Sequence, residues 1–211
     1  MTTTIEQPSD VQDNSRFEQL LKQVAQCQIC QSSLPLAPKP IIQLSTQAKL
    51  LIIGHAPGRQ AHNMDKPFAD KSGERLRSWL GLTEQQFYSE QVAILPMGFC
   101  YPGKTKNGDK APDKRCYATW HQQLIAYLPH IQAMVLLGQH AQSAYLQRSI
   151  NVTENAKGWQ THQQQMPAIW PLPHPSPRNN IWLSKNPWFS QELLPALQNH
   201  IRLLLPSAKF E

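Results

Sequence analysis

Four short apolar runs constrain the fold more than any other feature of this chain: KLLIIG at 49–54, QVAIL at 91–95, AMVLLG at 133–138 and AIWPLPH at 168–174. None alternates polar with apolar residues. A strand with one wet face alternates, whereas a strand covered on both faces reads as a continuous apolar run. The intervening segments carry helical spacing instead. Phe17, Leu20, Leu21 and Val24 fall at i, i+3, i+4 and i+7 within 16–26, and Ser72-Gly-Glu opens a helix that places Leu76, Trp79 and Leu80 on one side. Glu74 lies near the positive end of that helix. Residues 116–128, stopped by Pro129, and 140–147 read as further helices. Residues 190–205 close the chain with Leu193, Leu194, Leu197, Ile201 and Leu204 on one face. Strands alternating with helices predict an α/β domain of three layers, α/β/α, around a central four-stranded parallel sheet. This domain is expected to span 16–211 with no internal repeat. The polar, unpatterned residues 1–15 are expected to be a disordered leader.

In open parallel sheets, ligands bind beyond the carboxyl ends of the strands. Three strands here run into distinctive loops, 54-GHAPG-58, 96-PMGFCYPG-103 and 174-HPSPRN-179, and prolines cluster in 35–40, 95–112 and 167–177. Such loops are rigid connections that can converge on one site. The formal charge of +6 favours a polyanionic partner through counterion release. Lys104, Lys106, Lys110, Lys114 and Arg115 form a basic stretch beside the pocket mouth, suited to phosphate contacts. No apolar run approaches the roughly 20 residues of a membrane span, and the first residues lack a signal-peptide pattern. A cytoplasmic, monomeric protein with no membrane association is expected.

The four cysteines are Cys27, Cys30, Cys100 and Cys116, in the pattern C-x2-C, 69 residues, C-x15-C. Without an export signal, disulfides are disfavoured. A C-x2-C directly after a helix suits a metal centre, because both thiolates can face one ion or cluster. Zinc normally takes two compact knuckles, and the wide second pair suits an iron–sulfur cluster better. Cluster, zinc and free thiols are the three readings that spacing leaves open.

These signals together resemble the iron–sulfur branch of the uracil-DNA glycosylases, the thermophile-type family 4 and its relatives. That family carries G-E-A-P-G, then P-F and a small residue before Gly, and a closing H-P-S. This chain has 54-GHAPG-58, Pro67-Phe68, Ser72-Gly73 and His174-Pro175-Ser176, with a third strand ending in Leu137-Gly138. The resemblance covers about Cys27 to Phe189 and implies that all four cysteines hold a 4Fe-4S cluster, with zinc the alternative. It implies a DNA glycosylase that flips a damaged base, uracil or a relative, out of the duplex and hydrolyses its N-glycosidic bond. Phe68 would stack on the base, and Gly54, Ala56, Pro57 and Gly58 would bring backbone against it. His174 would hydrogen-bond the leaving base as negative charge develops. Ser176 would grip phosphate, with Lys104 and Lys106 nearby, and Arg178 would fill the gap in the stack or pair with phosphate.

Two positions depart from the family pattern. His55 stands where the family has Glu; an imidazole can position water but carries no negative charge. Pro96 stands where the family has an Asn, four residues before Cys100, whose amide reads the uracil edge; Asn63 is a candidate substitute. His55 is retained as a catalytic candidate with His174. The departures also suit an alternative, a non-catalytic DNA- or damage-binding module on the same fold.

Overall fold

A computed structural model describes residues 10–106 and 108–206. The strands of the central sheet are β1 (Leu50–Ile53), β2 (Val92–Ile94), β5 (Ala133–Leu137) and β6 (Ala168–Leu172). A two-stranded hairpin, β3 (Lys104–Thr105) with β4 (Gly108–Asp109), stands apart from them. The sheet order is β2-β1-β5-β6 and every pairing is parallel: Leu51 sits opposite Ala93 on one side and Met134 on the other, and Val135 faces Trp170. All four expected strands are present, and every residue in them is buried.

Side chains alternate across the pleat, so each strand feeds two cores. Leu50, Ile52, Val92, Ile94, Val135, Leu137, Trp170 and Leu172 pack on one face against the helices Lys71–Leu80 and Leu194–Leu204. Leu51, Ile53, Ala93, Leu95, Met134, Leu136 and Ile169 pack on the other, against Phe17, Leu20 and Val24 of the helix Asp10–Ala25, Leu124, and Ala141 of the helix Gly138–Tyr145. This is the three-layer α/β/α architecture expected.

Several boundaries differ from expectation. The first helix starts at Asp10, inside the segment expected to be a disordered leader; residues 1–9 lie outside the described ones. The second core helix starts at Lys71, because Asp70 rather than Ser72 is the N-cap: its Oδ1 accepts from the Gly73 N–H at 3.0 Å. Short helices Arg59–Met64, Glu84–Phe87, Val152–Lys157 and Asn180–Lys185, together with the hairpin, carry too few periodic residues to read from sequence. Trp182 and Trp188 pack edge-on against Phe189 and donate to Thr153 and Asn186 side chains at 2.8 and 3.1 Å, which ties the last helices to the body. No helix among the described residues is long and apolar enough to cross a membrane.

Candidate active site at the carboxyl ends of the strands

The GHAPG turn leaves the end of β1, and its backbone continues to pair with the chain beyond β2. Met97 N–H donates to Gly54 O at 2.9 Å and Gly98 N–H to His55 O at 3.0 Å. The turn therefore sits on a rigid sheet extension. Beside it opens a cavity of about 500 Å³ lined by Gly54, His55, Ala56, Pro57, Gly58, Phe68, Pro96, Lys104, His174, Ser176 and Arg178, with Asp70, Ser72, Asp109 and Asn179. Segments separated by up to about 120 residues meet here, as the strand-end rule predicts.

Phe68 holds its place through an unusual backbone. Its φ is +53°, in the left-handed region that a bulky residue seldom occupies. Such a conformation costs on the order of 1–3 kcal/mol and persists only where the surroundings enforce it. Here the Tyr88 hydroxyl donates to Pro67 O at 2.8 Å, and the Phe68 ring meets Phe87 edge-on at 6.1 Å. Gly73 is the third enforcer. A Cβ on Gly73 would overlap the Phe68 carbonyl oxygen and come within 2.8 Å of its Cβ. The Ser72-Gly73 pair thus owes its glycine to the close approach of the Phe68 backbone. Gly54 is matched to the same ring, whose Cζ would lie 3.1 Å from a Cβ there.

His174 is fixed from three sides. Asn179 Nδ2 donates to the His174 carbonyl at 2.6 Å. Arg75, from the helix Lys71–Leu80, donates Nη1–H to Ser176 O at 3.0 Å and Nη2–H to Asn180 Oδ1 at 2.9 Å. Gly138, at φ +76°, lies under the His174 Cβ, which would be 3.5 Å from a Cβ on that glycine. The strand end behind the loop is held by a buried amide pair. Gln142 donates to Leu172 O at 2.9 Å and accepts from Asn155 at 2.9 Å. Neither Arg75 nor this amide pair belongs to a motif, so sequence reading missed both.

Three imidazoles gather at the pocket. His55 lies 5.2 Å from His140 and 6.2 Å from His174, ring centre to ring centre. Burial, with the two neighbouring imidazoles, pushes His55 down to about 4. Burial also lowers His174, opposed by the carboxylates of Asp70 and Asp109. Both rings are therefore neutral at neutral pH. Behind Pro96, His121 is buried, with Nε2 3.1 Å from Pro96 O and Nδ1 2.6 Å from the Tyr145 hydroxyl; burial pushes it down to about 4. Nε2 must donate to the carbonyl, so Nδ1 accepts from Tyr145.

A pH dependence of stability follows. The folded state holds His55 and His121 neutral, while the unfolded chain protonates them near 6.5. Between those values the unfolded state binds more protons, so stability rises with pH. The contribution is complete above about pH 6.5 and disappears as pH falls toward about 4. Thermal melts from pH 8 to pH 4 are expected to show a plateau and then a fall below about pH 6.5, and His121→Phe is expected to flatten part of that fall.

The four cysteines lie on three segments: Cys30 and Cys116 are buried in the opposite core, and Cys27 and Cys100 are half-buried. Burial pushes the Cys30 thiol up to about 12, with Cys116 and then Asp113 adding to it. Burial also pushes Cys100 up to about 11, with Cys27 and Cys30 adding, and raises Cys116, with Cys100 and Cys27 adding. Cys100 and Cys116 each feel two of the other cysteines, and Cys30 feels Cys116. The Phe99 N–H points at Cys116 Sγ, 3.4 Å away. Arg115 bridges the two cysteine segments: it is bidentate on Asp113 at 2.9 and 2.7 Å and donates to Ile29 O at 2.9 Å and Ser33 Oγ at 2.8 Å. It is a clamp here, not the phosphate-facing cation expected from its place in the basic stretch. Among the described residues, no three His, Cys, Asp or Glu side chains stand close enough together to hold one metal ion.

Of the remaining expected site residues, Lys104 lines the cavity, whereas Lys106 is exposed on the hairpin turn and does not. Asn63 is exposed on the helix Arg59–Met64 and lies outside the pocket, so it does not take the place of the amide lost at Pro96; Asn179 is the amide that lines it.

Fold and site together define an α/β protein with a preformed cavity at the carboxyl edge of a parallel sheet. The chain belongs to the Uracil DNA glycosylase superfamily, whose family model matches residues 42–198, more than half of its length. Membership implies a DNA glycosylase-like, base-excision function with DNA as the partner; members of the superfamily generally hydrolyse N-glycosidic bonds.

Proposed function

We propose that this protein is a DNA glycosylase that admits a flipped damaged base, uracil or a relative, and hydrolyses its N-glycosidic bond. The observation that carries this reading is the convergence of Phe68 and His174 on one preformed cavity beside the GHAPG turn. The Phe68 ring offers a stacking face, and the backbone of Gly54, Ala56, Pro57 and Gly58 forms the wall. As the C1′–N bond breaks, its electron pair leaves with the base. A neutral His174 donates an N–H to the base oxygen where that charge accumulates. His55, also neutral, orients the water that attacks C1′. Ser176, Arg178 and Lys104 meet phosphates along the pocket mouth, and Lys106, on the hairpin turn, meets phosphate farther along the strand. The test is base release from single- and double-stranded oligonucleotides carrying uracil, hypoxanthine and related lesions. Abasic sites formed without added metal support the reading; an intact panel overturns it.

Positions 55 and 96 favour a second reading, a non-catalytic damage-binding module, because neither supplies the family's carboxylate or amide. It predicts salt-dependent binding to the same oligonucleotides without base release.

The cysteines fit a 4Fe-4S cluster held by Cys27, Cys30, Cys100 and Cys116. The donor set is all sulfur, a backbone N–H is directed at one of the sulfurs, and Arg115 clamps the two segments. Such a cluster would supply a rigid cross-link between the N-terminal segment and the 100–116 loop, with redox capacity besides. Purified protein is expected to be brown, with iron and acid-labile sulfide in equal amounts, and Cys116→Ser is expected to bleach it. Colourless protein containing zinc, or no metal, would overturn the cluster in favour of one of the other two readings.

A further inference from the structure

The family places a carboxylate on the turn where this chain has His55, yet the pocket is not without carboxylates. Asp70 and Asp109 both line it, one from a helix N-cap and the other from the hairpin. They converge on the last residue of the GHAPG turn: Asp70 Oδ2 and Asp109 Oδ2 lie 3.6 and 3.8 Å from the position of a Cβ on Gly58. Asp70 is aimed by its own capping bond. Its Oδ1 accepts from the Gly73 N–H at 3.0 Å, which leaves Oδ2 turned toward the turn and the cavity. That same cap anchors the helix beneath Phe68. The imidazole of His174 feels both carboxylates, which oppose the effect of its burial. Lys104, the neighbour of Asp109 across the hairpin, and Arg178, whose guanidinium lies against Gly108, line the same cavity and flank Asp109 with positive charge, which leaves Asp70 on the side away from the hairpin.

We propose that Asp70 and Asp109 form the carboxylate pair that opposes the positive charge on the sugar and accepts a proton from the attacking water. This rests on the glycosylase reading above. In the step, the C1′–N bond breaks with its electrons passing to the base nitrogen, and a water oxygen bonds to C1′. The proton that this water loses goes to the carboxylate and then to solvent, while the departing base anion, held at His174, takes a proton from solvent. A carboxylate displaced from the turn to the N-cap and the hairpin restores what position 55 lacks, and it does so from two elements that flank the cavity.

The test uses Asp70→Asn, Asp109→Asn and the double variant. Asn caps a helix as well as Asp does, so Asp70→Asn removes charge while keeping the cap; Asp70→Ser is a second uncharged capping variant should the first misfold. On whichever oligonucleotide the native protein cleaves, single-turnover base release is expected to fall about 10²-fold or more in Asp70→Asn and further in the double variant. Melting temperature and oligonucleotide binding are expected to hold. NMR titration of His174 is expected to move to lower pH in each variant, because each removes a negative charge that the imidazole feels. Base release at the native rate in both single variants and the double variant, or an unmoved His174 titration, overturns the pair while leaving the glycosylase reading intact. Absence of release by the native protein across the lesion panel overturns both.

Discussion

His174→Ala is expected to slow base release by about 10²–10³-fold, the effect of deleting one hydrogen-bond donor at a developing anion. The size follows from what the substitution removes and what it leaves. The loop is held through backbone acceptors, the His174 and Ser176 carbonyls, which Asn179 and Arg75 continue to engage in the variant. Only the half-buried ring disappears, so the fold and the Phe68 wall survive, and the melting temperature is expected to change little. Because burial lowers the His174 titration, the ring in the native protein is a neutral imidazole. His174→Gln keeps a neutral N–H donor in the same loop and is expected to recover part of the loss. Single-turnover rates on a cleaved oligonucleotide, measured beside thermal melts, check both statements. Loss of activity with an equal loss of folded protein would mean that the ring is a packing element.

Gly73→Val is expected to produce the largest loss of stability of any single substitution near the pocket. A side chain there drives directly into the Phe68 carbonyl oxygen and Cβ, on a backbone already confined to positive φ. Overpacking of a close contact costs about 1–3 kcal/mol, and release of the Phe68 conformation would take the stacking wall with it. For a domain of this size each 1 kcal/mol corresponds to roughly 2–4 °C, so a fall of about 2–12 °C is expected. Gly73→Ala is expected to show a smaller form of the same effect. Base release should suffer in both variants even at temperatures where they remain folded, because the ring is displaced. A variant with native stability and native base release would show that the Phe68 loop yields easily.

The sheet was legible in the sequence because each strand is buried on both faces, which leaves an unbroken apolar signature such as LLII or AMVLL. The turn, Phe68 and His174 were legible as motifs at strand ends. What the sequence hid are residues whose part depends on partners far along the chain. Asp70 reads locally as an ordinary polar residue before a helix, and only the fold brings it against Gly58 and opposite Asp109. Arg75 looks like one more solvated cation on an amphipathic helix, and its partners are about 100 residues away. Arg115 looked like part of a basic surface until Asp113, Ile29 and Ser33 absorbed its donors. The hairpin strands are two residues each, too short for any periodicity, yet they deliver Asp109 to the pocket. Position 10 escaped detection because the helix from Asp10 begins on polar residues, before its apolar stripe starts at Phe17.

The sheet order β2-β1-β5-β6 has a consequence for how the pocket comes into being. Its first wall, the GHAPG turn with Phe68 and Asp70, rests on β1 and β2, which pair across about 40 residues. Its last wall, the His174 loop, follows β6, which joins the sheet only through β5. The residues of the aromatic and acidic side are therefore synthesised well before those of the imidazole side, and domains built from such distant parallel pairings close slowly. On the glycosylase reading, the donor to the departing base comes with the final strand, so catalytic competence would belong to the finished molecule and to no fragment of it.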